Sequence, residues 1–348
     1  MGVESSTSAT SSVGASAPRG GVDPLISVDG LSVSYRTEQE TIAAVRDVSF
    51  EVRPGETLAL VGESGAGKST IGHSILGLLP GNATMNARGM RYAGRSLLGL
   101  APEQLRRIRG DQISMIFQDA LSALTPTLRI REQLGELYTA HRDMSKAQAE
   151  AESLAALKRI LPDAERVFDA YPFQLSGGMA QRVMITLAIA LRPRLIIADE
   201  PTASLDPGVR METLEILERL RDEQGVGLLL ITHDFGVVAR MADRVHVMYA
   251  GEIVERADVR TMFRAPRHPY TFGLLQSLPS PDQGRLQPLR GQPPDLSDLP
   301  PQCPFLPRCS KAVSQCRFED APRLTAVGEE PGHEAACYNP IALPLRDS

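Results

Sequence analysis

The sequence predicts an α/β fold with a parallel β-sheet at its centre, and three features of the pattern support this. Two apolar runs without alternation, at residues 194–199 and 227–234, have the length of strands that are buried on both faces. Between them, residues 211–225 place leucines at helical spacing and end in glycine, as a crossover helix does. Residues 57–79 give a third apolar run, a glycine-rich loop and a helical pattern, in that order.

Other segments predict additions to this core. Residues 26–35 and 44–56 alternate apolar and polar side chains, which is typical of antiparallel strands with one buried face. Residues 120–190 are rich in helix formers and predict an inserted helical subdomain. After about residue 278 the chain becomes rich in proline, which indicates a boundary.

The composition excludes several classes of protein. With 42% hydrophobic and 23% charged residues in 348, the chain is an ordinary globular one, long enough for a large domain and an appendage. Its net charge of −5 argues against a general nucleic-acid binder, and no apolar run is long enough to span a bilayer. Residues 1–22 lack an apolar segment, so we expect a disordered leader, no secretory signal and a cytoplasmic protein.

The glycine-rich loop matches the phosphate-binding pattern G-x-x-x-x-G-K-[ST]. In such loops, backbone N–H groups and the following helix N-terminus surround phosphate oxygens, while the lysine reaches the β- and γ-phosphates and the hydroxyl holds Mg²⁺. A glycine-rich turn without nucleotide could have the same letters. The candidate residues are Gly62, Glu63, Ser64, Gly65, Ala66, Gly67, Lys68, Ser69 and Thr70.

Two later motifs favour the nucleotide interpretation. Asp199 ends a predicted strand, where a carboxylate can hold water on Mg²⁺, and Glu200 can accept a proton from an attacking water. Ser176, Gly177 and Gly178 precede an apolar helix and form a second anion-binding pattern. One γ-phosphate needs only one phosphate loop, so this second pattern predicts a nucleotide held between two chains. In isolation the same letters would predict a strand end and a helix cap.

In this order the motifs resemble those of the ATP-binding subunits of ABC transporters, over about residues 26–260. The resemblance implies a P-loop NTPase fold with a RecA-like parallel core, an antiparallel β subdomain and a helical subdomain, and ATP and Mg²⁺ as cofactors. It implies that Glu200, His233 and Gln118 are catalytic and that Ser69, Gln118 and Asp199 hold Mg²⁺. It also implies that Tyr35 stacks on adenine, that Gln118 senses a membrane partner, that Asp206 belongs to the D-loop and that His233 lies near the γ-phosphate.

The stretches "SGGMAQRVMI", "RHPYTFGLL" and "CPFLPRC" resemble the dipeptide/oligopeptide importer branch. The implied divisions are a leader at 1–24, an ATPase domain at 25–260 and a C-terminal extension at 261–348. The implied partners are two transmembrane permease subunits, a second ATPase subunit of the same or a similar kind and, indirectly, an extracytoplasmic binding protein, with no nucleic acid. The protein would act at the cytoplasmic face of the cell membrane. After Gln118 the chain has "DALSALTP" where the branch commonly has an Asp-Pro-Met-Thr-Ser-Leu-Asn-Pro-like run, in the loop that would face the permease.

Three alternatives remain open. A soluble ABC ATPase acting on nucleic acid or ribosomes would be expected to carry a coiled-coil insertion, two cassettes or a basic face. A second alternative is an ABC subunit for another solute, such as nickel. In a third, compatible with transport, the C-terminal extension senses redox state and the ATPase domain responds.

All the cysteines lie in the extension, at Cys303, Cys309, Cys316 and Cys337. Their spacing lacks the paired C-x₂-C of most zinc sites, and a cytoplasmic setting disfavours disulfides. Metal binding would supply folding energy to a proline-rich segment that cannot build its own core. Some members of the resembled branch hold a [4Fe–4S] cluster on four cysteines here, so the resemblance implies such a cluster. Structural zinc and free thiols are the alternatives.

Overall fold

The structure is a computed structural model that describes residues 23–203, 205–278 and 289–342. The predicted leader lies outside the described residues except for Asp23 and Pro24, and so does Ser204 of the D-loop segment.

The described residues form thirteen strands and twelve α-helices. The strands are β1 (Ile26–Arg36), β2 (Thr41–Val52), β3 (Thr57–Val61), β4 (Ala83–Asn86), β5 (Gly89–Tyr92), β6 (Arg95–Ser96), β7 (Ile113–Ile116), β8 (Leu195–Asp199), β9 (Gly227–Thr232), β10 (Arg244–Tyr249), β11 (Glu252–Asp258), β12 (Thr325–Ala326) and β13 (Glu334–Ala335). The helices are α1 (Lys68–Ile75), α2 (Pro102–Ile108), α3 (Ala120–Ala123), α4 (Ile130–His141), α5 (Lys146–Lys158), α6 (Ala164–Phe168), α7 (Gly177–Ile189), α8 (Pro207–Gln224), α9 (Phe235–Met241), α10 (Val259–Arg264), α11 (Pro269–Gln276) and α12 (Gln315–Phe318), with 3₁₀ turns at Pro172–Gln174 and Leu306–Arg308.

The central sheet has the strand order β12-β13-β11-β10-β3-β9-β8-β7. The five consecutive strands from β10 to β7, at one end of this order, are parallel, whereas β11 pairs with β10 in the antiparallel direction. Every residue of β3, β8 and β9 is buried, because both faces of these strands are covered. The unbroken apolar runs therefore predicted the parallel core correctly.

Successive residues of β3 face two different cores. Leu58 and Leu60 belong to a cluster that joins one face of the central sheet to α1 and to the antiparallel sheet. Ala59 and Val61 point the other way, into a cluster that contains residues of α7, α8 and the helical segment. The antiparallel sheet has the order β2-β1-β5-β6, with β4 also on β1, which confirms the predicted β subdomain.

The crossover helix α8 begins earlier than the predicted residue 211. It starts at Pro207 because the Asp206 carboxylate accepts hydrogen bonds from the backbone of Gly208 and Val209 and so caps the helix. It ends at Gln224, and Gly225 caps it, as predicted, with the left-handed φ of 67° that favours glycine.

The C-terminal extension adds strands to the central sheet, which the sequence did not predict. β13 pairs with β11 in the antiparallel direction, opposite Glu255 and Arg256. The Glu255 carboxylate, which is 0% exposed, accepts hydrogen bonds from the backbone of Arg267 at 2.6 Å and of His268 at 2.9 Å. It also lies 2.8 Å from Nε2 of His333, so one buried carboxylate holds three segments together.

In the described parts of the chain, none of the helices has both the length and the apolar character that crossing a bilayer requires.

Candidate active site

The phosphate loop lies between β3 and α1, at the carboxyl edge of the central sheet. Gly62 and Gly67 have φ values of 156° and 96°. A Cβ atom would lie 2.3 Å from the carbonyl oxygen of Met248 at Gly62, and 2.2 Å from that of Ala44 at Gly67. Only glycine therefore fits at these two positions, where the loop packs directly on neighbouring backbone.

The loop forms one wall of a cavity of about 710 Å³. This volume is in the range of small-molecule and cofactor sites. The cavity is lined by residues 62–70 and by Gln118, Glu200 and His233, with Ala44, Phe235 and Leu274 as apolar neighbours. The structure thus brings the predicted loop together with three residues that follow β7, β8 and β9, because parallel strands end at the same edge of a sheet.

Lys68 folds back across the loop. Its Nζ donates hydrogen bonds to the carbonyl oxygens of Gly62 at 2.8 Å and Glu63 at 3.0 Å. Burial lowers the pKa of Lys68, and nearby carboxylates, chiefly that of Glu200, partly offset this effect. The Lys68 ammonium is therefore held within the phosphate loop, on the wall of the cavity that nucleotide phosphates would enter.

Ser69 and Asp199 form an oxygen-rich pair next to the loop. Ser69 Oγ donates a hydrogen bond of 3.0 Å to Oδ1 of Asp199. Asp199 is buried, and burial raises its pKa, while the hydrogen bond from Ser69 lowers it in part. A hydroxyl and a carboxylate at this distance, with the exposed Gln118 on the cavity wall, are oxygen ligands of the kind Mg²⁺ prefers. The residues present therefore fit the metal that the motifs imply.

Glu200 is held by the neighbouring strand β9. Its backbone has a left-handed φ of 48°, which is strained for a residue other than glycine. Oε1 lies 2.7 Å from Nδ1 of His233, and Oε2 accepts a hydrogen bond of 3.2 Å from the Thr232 hydroxyl. The carboxylate is thus fixed in the cavity wall, where a general base for water would be needed.

The second anion-binding pattern lies elsewhere on the chain. The Ser176 hydroxyl caps α7 by accepting a hydrogen bond of 3.3 Å from the backbone of Met179, and Ser176 and Gly177 are exposed. Within the described residues, the cavity at the phosphate loop includes none of residues 176–178. Their role across a dimer interface stays a prediction.

Two other predicted residues make local contacts. The Tyr35 hydroxyl lies 3.1 Å from the hydroxyl of Thr70, at the end of the phosphate loop. Of the described residues that line the cavity, none is Tyr35. Its stacking on adenine stays a prediction. The exposed Asp206 caps α8, as described above, which leaves its second carboxylate oxygen for another partner.

Sequence reasoning missed two contacts that support the site. Gln181 of α7 donates a hydrogen bond of 2.9 Å from its side chain to the carbonyl oxygen of Pro201, one residue after Glu200. Asp234 caps α9 directly after His233 and lies 3.3 Å from Arg210 of α8. The sequence gave no indication that Asp234 would meet Arg210, because the two residues belong to different helical segments.

The four cysteines, which carry no disulfide, line one small cavity with His268 and Phe305. Burial raises the pKa values of Cys303 and Cys309, and it raises that of Cys337 to about 11. Nevertheless, across the described ranges the structure contains no group of three or more His, Cys, Asp or Glu side chains arranged to hold a metal ion. The cysteines converge on one cavity but are not arranged as a metal site, so the [4Fe–4S] cluster stays a prediction.

Comparison with known proteins identifies the family. Residues 45–203 match the family described as "ABC transporter", and residues 254–316 match "Oligopeptide/dipeptide transporter, C-terminal region". The chain is 42% identical over 320 residues to "Oligopeptide transport ATP-binding protein OppD" of Salmonella typhimurium, covering 91% of this chain and 94% of that protein. It is 44% identical over 299 residues to "Dipeptide transport ATP-binding protein DppD" of Bacillus subtilis, covering 85% and 89%.

A solved structure shows the same fold in a dimer. The ATP-binding cassette MJ0796, in a post-hydrolysis state bound to ADP and Pi, has a TM-score of 0.60 and 29% identity, covering 68% of this chain and 99% of that chain. Together with the phosphate loop, the Ser69–Asp199 pair and Glu200, these similarities show that the chain is an ATPase and belongs to the ATP-binding subunits of ABC transporters, in the oligopeptide/dipeptide branch.

Proposed function

We propose that this ATPase energises the import of dipeptides or oligopeptides through a separate membrane permease. The observation that carries the proposal is the match of residues 254–316 to the C-terminal region of oligopeptide/dipeptide transporters, on a chain with a complete phosphate site. The transport proteins named above, which are similar over most of this chain, support the same substrate class.

The chain's own residues account for hydrolysis. Lys68 and the backbone of residues 62–70 hold the β- and γ-phosphates, and Ser69, Asp199 and Gln118 supply oxygen ligands for Mg²⁺. When bound there, Mg²⁺ would neutralise charge that develops on the phosphate oxygens. Glu200 accepts the proton of the attacking water, and its hydrogen bonds with Thr232 and His233 keep the carboxylate in place.

Two ATPase chains close head to tail in the proposed cycle. Support comes from the exposed Ser176 and Gly177 at the start of α7 and from the dimeric MJ0796 structure. Each phosphate loop would face the partner's Ser176, with the nucleotide between them. Closure would pull on two transmembrane permease subunits at the cytoplasmic face of the membrane, to which an extracytoplasmic binding protein delivers peptide. The second ATPase is the same chain or a similar one.

For the C-terminal extension we propose a [4Fe–4S] cluster on Cys303, Cys309, Cys316 and Cys337, with zinc as the alternative. The support is that these thiols line a single cavity and form a donor set suited to such a cluster. The side chains would have to move to reach ligand distances, since their present arrangement is not a metal site. The cluster would organise the extension and take no part in phosphoryl transfer.

The test combines native purification with reconstituted transport. The tagged full chain is purified from its own membrane fraction, its partners are identified, and the complex is placed in proteoliposomes with the binding protein. We expect ATP-dependent uptake of labelled peptides that the Glu200→Gln variant abolishes. Uptake of nickel without peptide, or purification with ribosomes or nucleic acid in place of a permease, would refute the proposal.

A further inference from the structure

A carboxylate inside the phosphate loop forms an ion pair with the C-terminal extension. The Arg308 guanidinium donates two hydrogen bonds to Glu63, from one terminal nitrogen to Oε2 at 2.6 Å and from the other to Oε1 at 2.8 Å. The Arg308 side chain is only 4% exposed. A bidentate pair of this kind has a defined geometry and is stronger than a neutral hydrogen bond.

The backbone of Glu63 is held from the same side. Its N–H donates a hydrogen bond of 2.9 Å to the hydroxyl of Tyr270 in α11. Its carbonyl oxygen accepts the hydrogen bond from Lys68 that was described above. Two of the three polar groups of this loop residue are therefore bound by residues that follow the ATPase core in the chain.

Arg308 is itself fixed by aromatic packing. Its guanidinium carbon lies 5.7 Å from the ring centre of Tyr249 and 5.9 Å from that of Phe305. The buried Phe305 ring lies 5.3 Å from Tyr249 and 5.5 Å from Tyr270, centre to centre. The guanidinium also donates to the carbonyl oxygen of Arg290 at 3.0 Å. Arg308 thus reaches Glu63 with little freedom to move away.

The pair matters for nucleotide binding because Arg308 balances the negative charge of Glu63 next to the phosphate site. Burial lowers the pKa of Lys68, and the Glu63 carboxylate is close enough to oppose this effect in part, together with Glu200 and Asp199. An unpaired carboxylate at this place would repel the anionic phosphates and compete with them for the Lys68 ammonium. The Arg308 guanidinium compensates this charge, and its two hydrogen bonds hold both carboxylate oxygens of Glu63.

We propose that Arg308 is a positioning residue for ATP binding, through which the four-cysteine extension sets the nucleotide affinity of the phosphate loop. Arg308 immediately precedes Cys309, and Phe305 lines the cysteine cavity, so the pair connects that cavity to the phosphate loop. The inference rests on the ATPase activity of the chain and not on the identity of the transported solute.

The experiment measures ATP affinity and steady-state hydrolysis for the full chain and five variants. Arg308→Ala should raise the Kd and KM for ATP by about 10-fold or more, since a charged hydrogen-bonded pair contributes on this scale. The kcat at saturating ATP should stay within about twofold, because the chemical step does not use Arg308. Arg317→Ala, an exposed arginine next to Cys316, is the matched control and should leave all three values unchanged.

A double-mutant cycle separates charge compensation from a purely structural role. Glu63→Gln removes the carboxylate, so adding Arg308→Ala to it should raise the Kd by much less than Arg308→Ala does alone. An equal loss of ATP affinity on Arg308→Ala with and without the Glu63 carboxylate would overturn the proposal. An unchanged Kd in the single variant Arg308→Ala would also overturn it. If Arg308→Ala does not fold, Arg308→Lys replaces it in the cycle, since lysine keeps the charge but not the bidentate geometry. Lys68→Ala is the positive control, and a Kd unaffected by that change would instead refute the assignment of the phosphate loop.

Discussion

Glu200 Oε1 lies 2.7 Å from Nδ1 of His233, across the carboxyl ends of the neighbouring parallel strands β8 and β9. The contact joins two residues that the sequence separates by a whole crossover helix. It holds the carboxylate and the imidazole in the wall of the same cavity. The proposed base for water and the residue predicted to lie near the γ-phosphate are thereby held as one unit.

Replacing Glu200 by glutamine should leave ATP binding intact and reduce turnover by about 10²- to 10⁴-fold, because an amide cannot accept the proton of water. Hydrolysis at saturating ATP measures the loss, and a sizing column in ATP should show a trapped dimer. Glu223→Gln, on the exposed face of α8, is the matched control and should behave as the unmodified chain does. Normal hydrolysis without a change of size would contradict both the role of Glu200 as general base and the dimer that holds nucleotide between two chains.

Replacing Lys68 by alanine should weaken ATP binding by about 10-fold or more, since the phosphates lose a buried point charge. Direct titration with ATP measures the effect, and Lys146→Ala, at an exposed position of α5, should bind ATP normally. An unchanged affinity in Lys68→Ala would show that the phosphates bind elsewhere.

The segment after Gln118 should act in coupling to the permease. Leu121 is 41% exposed on the short helix α3, which the Asp119 carboxylate caps. Leu121→Asp should leave the ATPase activity of the isolated chain unchanged and reduce peptide uptake in proteoliposomes, since it places a charge on an apolar contact. Leu78→Ala, at a similarly exposed leucine outside this segment, is the control. Equal losses of activity in the isolated chain and in uptake would assign the segment to catalysis.

Anaerobic purification tests the cysteine cavity. If the proposed cluster forms, the protein is brown and holds about four irons per chain, and Cys309→Ser lowers the iron content. Ser310→Ala, at the adjacent exposed residue, should keep the iron. Colourless protein with one zinc would support the alternative metal, and metal-free protein with four titratable thiols would contradict both.

The buried Glu255 should be a main anchor of the extension. Glu255→Ala removes the acceptor for the backbone of Arg267 and His268 and for His333, so we expect a loss of about 3 kcal/mol in the free energy of unfolding. Denaturant unfolding measures this free energy, and Glu329→Ala, at an exposed position, is the matched control. Equal stability of the two variants would show that β13 is held by other contacts.

Local features of the molecule could be predicted because they depend on neighbours in the chain. Gly62 and Gly67 adopt left-handed backbone angles that favour glycine, so their spacing predicts the loop without any knowledge of its surroundings. The buried strands β8 and β9 could be predicted for a similar reason, since a run of apolar side chains requires cover on both faces. The order of these patterns was enough to predict the fold and the ATPase.

The tertiary structure alone decided which distant residues meet. Glu63 and Arg308 are 245 positions apart, and no spacing rule connects them. The four cysteines share a cavity, and β13 joins β11, only because the extension folds back onto the edge of the central sheet. The sequence by itself predicted the phosphate loop and the buried strands, since each depends on short-range geometry, and the order of its motifs supplied the candidate catalytic residues. The link between the loop and the extension depends on how whole elements pack, and packing is set by the combined shape and charge of surfaces that lie far apart in the chain.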